Sequence, residues 1–292
     1  YMAYETGVAT SQHDLLDKLR LFLLANGWTV NRWAAEGSGY GLCVSKGLFY
    51  ANFRSTVRGE SGMFPFSLYF PGDYGILFNA SSGFNAGLVT LRQPGVATSA
   101  EILYTVEMPA DQTTVEEYHF FTTGNSIDIV AKKNTSVYTP VGYYSLHVGD
   151  AEKFGNFYHC SYYSSQGWNT NGITVVPAFF NGYSDLTMCG LRANSGDSVS
   201  WYSIKPVSAS ASLLAIPVST SGMLVLYPIY IIASVSSLYI PIGYVPTVRG
   251  CNSSYVTNGE ELVIGSDVWK TFKLVTANSG ATSYGYAIKK VV

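Results

Sequence analysis

The stretch Ser11-Gln12-His13-Asp14-Leu15-Leu16-Asp17-Lys18-Leu19-Arg20-Leu21-Phe22-Leu23-Leu24-Ala25-Asn26-Gly27-Trp28-Thr29-Val30-Asn31-Arg32-Trp33 contains the change of hydrophobic period that decides the fold class. Leu15, Leu16, Leu19, Phe22 and Leu23 recur at helical spacing and form a wide apolar stripe. Ser11-Gln12-His13-Asp14 resembles a capping box, in which a Ser oxygen takes a free backbone N–H and an acid sits in the first turn. Asn26-Gly27 supplies a left-handed stop, so the spacing predicts a helix over residues 12–26. Leu21 and Leu24 widen the apolar surface, and such a helix has to be covered on more than one side. From Trp28 the period becomes two, the signature of a strand.

Beyond this point the chain reads as strands and turns. Gly37, Gly39 and Gly41 suggest a glycine-rich loop, and Lys46-Gly47 a tight hairpin between strands at 42–45 and 48–55. A second pair is expected at 66–70 and 75–79 around Pro71-Gly72-Asp73, then a loop-like stretch over 80–100. Strands are predicted again at 101–107, 117–122, 126–132 and 136–148. Residues 149–200 read as long, irregular and aromatic-rich. A hairpin at 261–264 and 268–275 around Gly265-Ser266-Asp267 and a final strand at 284–291 complete the pattern. Ser136-Val137-Tyr138-Thr139-Pro140-Val141-Gly142-Tyr143 is echoed by Ser237-Leu238-Tyr239-Ile240-Pro241-Ile242-Gly243-Tyr244, as two related modules or a chance recurrence of strand-Pro-Gly-strand would give. The fold class that follows is mainly β (α+β), an N-terminal helix followed by antiparallel β-sandwich modules. Its expected divisions are 1–33 for the helix and first strand, 34–150 for a β-rich module, and 151–292 for a second module or a continuation of the first.

Composition narrows the function classes. Only 12% of the 292 residues are charged, about half the share of an ordinary soluble domain, while 47% are apolar and Gly (29) and Tyr (23) are abundant. Few charges leave little to keep the chain monomeric, so much of its surface is expected to be buried against partners. With net charge −2 there is no broad basic field to hold nucleic acid, and the lysines at 270, 273, 289 and 290 read as a solvated strand face. The N-terminus lacks a basic region before an apolar stretch, so no secretion signal is expected. Residues 206–248 contain no Asp, Glu, Lys or Arg, but Pro217, Gly222, Pro228 and Pro241 interrupt the run. It reads as buried strands and not as a membrane span. Cys43, Cys160, Cys189 and Cys251 never form a CxxC pair and read as buried thiols.

A search for chemistry finds none. His13, His119, His147 and His159 occur in no metal-ligand spacing, and no Gly-x-Ser-x-Gly elbow is present. Gly37-Ser38-Gly39-Tyr40-Gly41 resembles a phosphate loop in composition only. Acids lie close at Glu116-Glu117, Glu260-Glu261 and Asp14/Asp17, yet nothing selects a pair for glycoside hydrolysis. The expectation is a protein that is not an enzyme and has no cofactor or metal. Tyr162, Tyr163, Trp168 and Tyr183 lie in an aromatic stretch that reads first as core and subunit contact and second as a surface that stacks on sugar faces.

The opening Tyr4-Glu5-Thr6-Gly7-Val8-Ala9-Thr10-Ser11, the helix after it, and Asn26-Gly27-Trp28-Thr29-Val30 resemble a family of structural proteins of tailed-bacteriophage virions. Members begin with a similar Thr-Gly-x-Ala segment, a helix and a Gly-Trp-x-Val strand. The resemblance continues at Ser81-Ser82-Gly83-Phe84-Asn85-Ala86-Gly87, Gln93-Pro94-Gly95 and Glu117-Tyr118-His119-Phe120-Phe121. It spans most of the first 150 residues, and the charge-poor stretch at 206–248 departs from it. It implies a structural subunit, made in the host cytoplasm and located in the virion, that assembles with other virion proteins in the neck, tail or baseplate. The alternatives are a receptor- or glycan-binding tail module and a capsid decoration protein. The expected partners are other virion proteins and further copies of the chain, with no nucleic acid and no membrane span. The expected interface is the helix, through Leu15, Leu16, Leu19, Phe22, Leu23 and Trp28.

Overall fold

The fold was analysed in a computed structural model, which describes residues 2–56, 75–81, 83–94, 106–109, 115–124, 126–134, 137–145, 156–163, 175–177, 190–192, 201–206, 224–235, 238–273 and 284–291. The chain opens on strand β1 (Ala3–Ala9) and helix α1 (Gln12–Ala25). Then follow β2 (Thr29–Glu36), β3 (Gly39–Lys46), β4 (Phe49–Thr56), β5 (Gly75–Ser81) and β6 (Val106–Pro109). Next come β7 (Val115–Thr122), β8 (Ser126–Asn134), β9 (Val137–Ser145) and β10 (Asn156–Tyr163). Three short strands, β11 (Val175–Pro177), β12 (Gly190–Arg192) and β13 (Trp201–Pro206), precede β14 (Tyr227–Val235). The chain ends on β15 (Leu238–Asn252), β16 (Glu260–Ile264), β17 (Asp267–Lys273) and β18 (Tyr284–Val291).

The protein is mainly β, with one α-helix among the described residues. A 5-stranded sheet runs in chain order from β2 to β6. A 13-stranded sheet has the order β1-β7-β8-β9-β10-β12-β13-β14-β15-β18-β17-β16, with β11 branching from β10. Every pairing described is antiparallel. The large sheet runs across position 150, because β9 pairs with β10.

Helix α1 forms where its capping residues allow it. Ser11 Oγ accepts the Asp14 N–H at 3.1 Å, and Asp14 Oδ2 accepts the Thr10 N–H at 2.8 Å. The acid thus reaches one residue further back than in a standard capping box. At the other end the Trp28 N–H bonds to Leu23 O and the Gly27 N–H to Leu24 O, with Gly27 at φ 78. This is a Schellman ending, in which a left-handed residue carrying a Cβ would be strained.

The apolar stripe decides the layering. Leu15, Leu16, Leu19, Phe22 and Leu23 share one core cluster with Leu42, Val44, Ala51, Phe53, Ile76 and Phe78 of the small sheet. The same cluster takes in Tyr118, Phe120, Ile127, Ile129 and Ala131 of β7 and β8. The helix is therefore held between two sheets. The alternate residues of β7 and β8 face the opposite way and receive the C-terminal strands. His119 meets Phe272 of β17 with ring centroids 4.9 Å apart, and Thr247 of β15 donates to Asp128 at 3.4 Å. Both faces of β7 and β8 are thus covered, in line with the period-two alternation of strand side chains.

Two sequence expectations change here. The glycine-rich loop is instead a turn at 37–38, with Gly39 and Gly41 inside β3. A Cβ at Gly39 would strike Ser55 O, and one at Gly41 would strike Thr90 Oγ1 and the Glu36 carboxylate. These glycines serve close approach and not flexibility. The stretch 149–200 is not wholly irregular, since it holds β10, β11 and β12. Residues 66–70 and most of 101–107 lie outside the described residues. The two halves of the internal echo both open the second strand of an antiparallel hairpin, with Val137 opposite Asn134 and Leu238 opposite Val235.

Leu19→Ala should destabilise the protein by about 2–5 kcal/mol, the usual cost of hollowing a packed core. Leu24→Ala, at a position 50% exposed, should cost no more than about 0.5 kcal/mol. Urea denaturation of the two variants checks this, and equal losses would contradict the packing of α1 between the sheets.

Candidate functional site

The predicted interface residues are all inside the chain. Leu15, Leu16, Leu19 and Leu23 are each 0% exposed, Trp28 1% and Phe22 3%. Trp28 Nε1 donates to Thr122 Oγ1 at 2.9 Å, which ties the start of β2 to β7. The apolar stripe is thus satisfied by the chain's own two sheets, and these six side chains are not free to meet a partner. Of its large apolar side chains, α1 leaves Leu21 and Leu24 on the surface. Of the predicted aromatic surface, Trp168 and Tyr183 lie outside the described residues. Tyr162 and Tyr163 lie on β10, opposite Val176 and Val175 of β11, and the description there extends to the backbone alone.

A second surface feature is built from residues that strand periodicity does not reveal. Residues 83–94 leave the small sheet and return through a short helical turn at Thr90–Arg92. Glu36, at the end of β2, caps this turn. Its Oε1 accepts the Thr90 N–H at 3.0 Å and the Thr90 hydroxyl at 2.7 Å. Arg32 Nη1 donates to the same oxygen at 2.9 Å, and Arg32 Nη2 reaches Ala86 O at 2.7 Å. Arg54, with a side chain only 2% exposed, donates to Glu36 O at 2.7 Å and lies 3.9 Å from Oε2. Beneath the loop, Gln93 is buried. Its Oε1 accepts the Asn85 N–H at 2.7 Å, and its Nε2 donates to Leu88 O and Val89 O at 3.1 Å each.

This cluster clamps the loop onto the edge of the small sheet. Hydrogen bonds to charged groups are stronger than neutral ones, and those that Glu36 accepts tie Thr90 to the sheet. Thr90 and Leu91 are turned inward while Leu88 (38%) and Val89 (48%) are exposed. A fixed loop that presents apolar side chains binds a partner with little loss of conformational entropy.

A third cluster joins the C-terminal strands to β1 and β7. Tyr4 Oη lies 2.9 Å from His119 Nδ1, and His119 Nε2 lies 3.0 Å from Glu117 Oε1. A neutral ring protonated at Nε2 accepts the Tyr4 hydroxyl at Nδ1. Lys290 and Lys270 lie 4.8 and 5.6 Å from the centre of the Tyr4 ring. Both approach Glu261 Oε1, at 2.8 and 3.5 Å. Burial pushes the His119 pKa down to about 4 against the pull of the Glu117 carboxylate. Burial also raises the Tyr4 phenol.

Two of the acids singled out in the sequence are held ionised. The Lys290 hydrogen bond, with Lys270, lowers Glu261. At Asp14 burial raises the pKa, but the Thr10 hydrogen bonds and Lys18 outweigh it and the net shift is downward. Neither is kept protonated as a general acid would be. The lysines at 270, 289 and 290 are paired with Glu261 and Asp267, and so do not form an open basic patch. Cys43 and Cys251 are buried, and burial raises each thiol to about 12, which leaves them unreactive. Among the described residues no group of three or more His, Cys, Asp and Glu could hold a metal ion, and no helix is long and apolar enough to cross a membrane. The sequence matches no protein-family model and no curated protein.

Two measurements test these clusters. Glu36→Gln should weaken the clamp by about 1.5–3 kcal/mol, the worth of a hydrogen bond to a charged group, and speed hydrogen exchange at the Thr90 amide. Unchanged exchange there would mean that Glu36 does not hold the loop. His119 binds a proton less readily folded than unfolded, so its contribution is complete above pH 6.5 and is lost as pH falls towards about 4. The loss is on the order of 3 kcal/mol at most, and His119→Phe should flatten this part of the stability–pH curve. An unaltered curve in that variant would assign the acid sensitivity elsewhere.

Proposed function

We propose that the chain is a structural subunit of a tailed-bacteriophage virion that works by protein–protein assembly in the neck, tail or baseplate. The observation that carries this reading is the clamped loop at 83–94. It overlaps two of the segments on which the resemblance rests, Ser81-Ser82-Gly83-Phe84-Asn85-Ala86-Gly87 and Gln93-Pro94-Gly95. A partly buried Glu36–Arg32–Arg54 cluster is an unfavourable way to hold a surface loop for its own sake, because each charge loses hydration on burial. The arrangement has a purpose if the loop must present Leu88 and Val89 in one geometry. Exposed apolar side chains that are already held in place can be covered by a partner at little ordering cost. The low charge content fits the same picture, since a surface covered in the particle needs few charges to remain dispersed.

The partners in this reading are other virion proteins and further copies of the chain, and the site of action is the virion. Peptides of the chain should be found by mass spectrometry in particles purified free of lysate. A chain abundant in lysate and missing from such particles would end the proposal. Leu88→Asp with Val89→Asp should leave the stability of the purified chain within about 1 kcal/mol, because both positions are exposed. The same pair should sharply lower recovery of the chain in particles, and unchanged recovery would remove the loop from the interface.

A further inference from the structure

Sheet edges are where a β-rich chain meets other chains, because their outer N–H and C=O groups have no partner in the sheet. Natural edges are blunted by bulges, prolines, lysines or brevity. Among the described residues three of the four edges that end the two sheets carry such a device. Strand β2 has a bulge between Val30 and Arg32, and β1 has one between Gly7 and Ala9. Strand β6 is four residues long and ends in Pro109.

Strand β16, one residue longer than β6, has no bulge, proline or lysine. Its sequence Glu260-Glu261-Leu262-Val263-Ile264 has no Pro, Lys or Gly. It pairs with β17 in unbroken register, from Glu260 opposite Thr271 to Ile264 opposite Asp267. Val263 is 72% exposed and Ile264 48%. The two acids could have repelled an incoming strand, but both are engaged within the chain. Glu261 is held by Lys290 and Lys270, and Glu260 Oε2 accepts the Thr257 N–H at 2.8 Å.

We propose that β16 pairs antiparallel with β16 of a second copy of this chain about a two-fold axis through Leu262. The order of residues makes the strand complementary to itself. In this register Glu260 lies opposite Ile264 of the second copy, Glu261 opposite Val263, and Leu262 opposite its own equivalent. No carboxylate faces a carboxylate, so the cross-strand repulsion that like charges produce is avoided. Every pairing in both sheets is already antiparallel, and the new one continues the large sheet in the same sense. A two-fold pairing uses up the edge in both copies and closes, whereas a head-to-tail contact would grow without limit. The inference deepens the assembly reading, on which it rests, by making a second copy one of the partners.

Sedimentation velocity of the purified full chain over a concentration series should reveal a reversible dimer. Val263→Glu, which sets a carboxylate opposite Glu261 of the second copy, should weaken it by at least about tenfold. The unfolding transition of the variant should match the wild type, because the replaced side chain is exposed. Leu262→Cys should cross-link under mild oxidation, since directly opposed residues lie about 4.5–5.5 Å apart at Cα and a disulfide spans that distance. Leu48→Cys, an exposed site on the small sheet's β3–β4 turn, and the unaltered chain serve as controls. A wild-type chain that stays monomeric, a Val263→Glu dimer as tight as the wild type, or cross-linking at Leu262→Cys no faster than at Leu48→Cys would each overturn the pairing. These readouts use the isolated chain. A monomer that is nevertheless found in particles would sink the edge pairing alone, and a dimer missing from particles would sink the assembly reading alone.

Discussion

The apolar stripe of helix α1 is closed over by the chain's own sheets, while Leu21 and Leu24 on its other side stay exposed. Leu15, Leu16, Leu19, Phe22 and Leu23 of α1 remove themselves from solvent only because a sheet closes on each side of them. Burying such a side chain is worth about 1.5–3 kcal/mol, so the stripe as a whole is among the largest contributions to the stability of the N-terminal half. The other contacts follow from that closure. Trp28 is drawn in beside Thr122, β1 is laid against β7, and β7 and β8 become a shared wall with the helix on one face and the C-terminal strands on the other. The helix is thus the internal spacer of the fold, and the exposed apolar side chains Leu88, Val89, Val263 and Ile264 lie on a loop and an edge outside that closure.

Polar clusters do the remaining positioning. In a chain with so few charges, those inside or beside the core have specific jobs. Arg32, Arg54 and Glu36 fix the loop at 83–94, and Glu117, His119 and Tyr4 with Lys270, Lys290 and Glu261 join β1 and β7 to the last three strands. Both clusters join elements far apart in sequence, and both leave apolar side chains exposed nearby. Positioned loops and exposed apolar side chains are the features on which the assembly proposal rests. Groups tuned towards neutrality are the usual mark of acid–base chemistry. His119, the strongly shifted histidine among the described residues, is moved away from that range and enclosed.

Much of the fold is legible in the sequence because it is local. The helix and its caps, the β3–β4 turn (expected at Lys46-Gly47 and found one residue on, at Gly47-Leu48), the hairpin around Gly265-Ser266-Asp267 and the final strand each depend on residues a few positions apart. Period and turn chemistry act at that range, so the sequence carries them directly. Gly39 and Gly41 mislead for the opposite reason. Their need for a missing Cβ comes from Ser55 and Thr90, which approach from elsewhere in the chain. Strand β1 is equally hidden, because its seven residues Ala3–Ala9 alternate too weakly to announce a strand and gain order from β7.

The sequence by itself determined that an apolar helix opens a chain of strands, that this helix needs cover on several sides, and that catalytic motifs are missing. It could not determine what supplies the cover, since an apolar stripe has the same pattern whether a partner or the chain's own sheets bury it. Tertiary structure decided that question in favour of the chain itself, and so moved the candidate interface from the helix to the clamped loop and the β16 edge. Exposure of Leu88, Val89, Val263 and Ile264 is a property of what fails to pack over them, and no local pattern encodes it. The same holds for Glu36 with Thr90, whose meeting depends on two segments brought together only when the small sheet and its loop are complete.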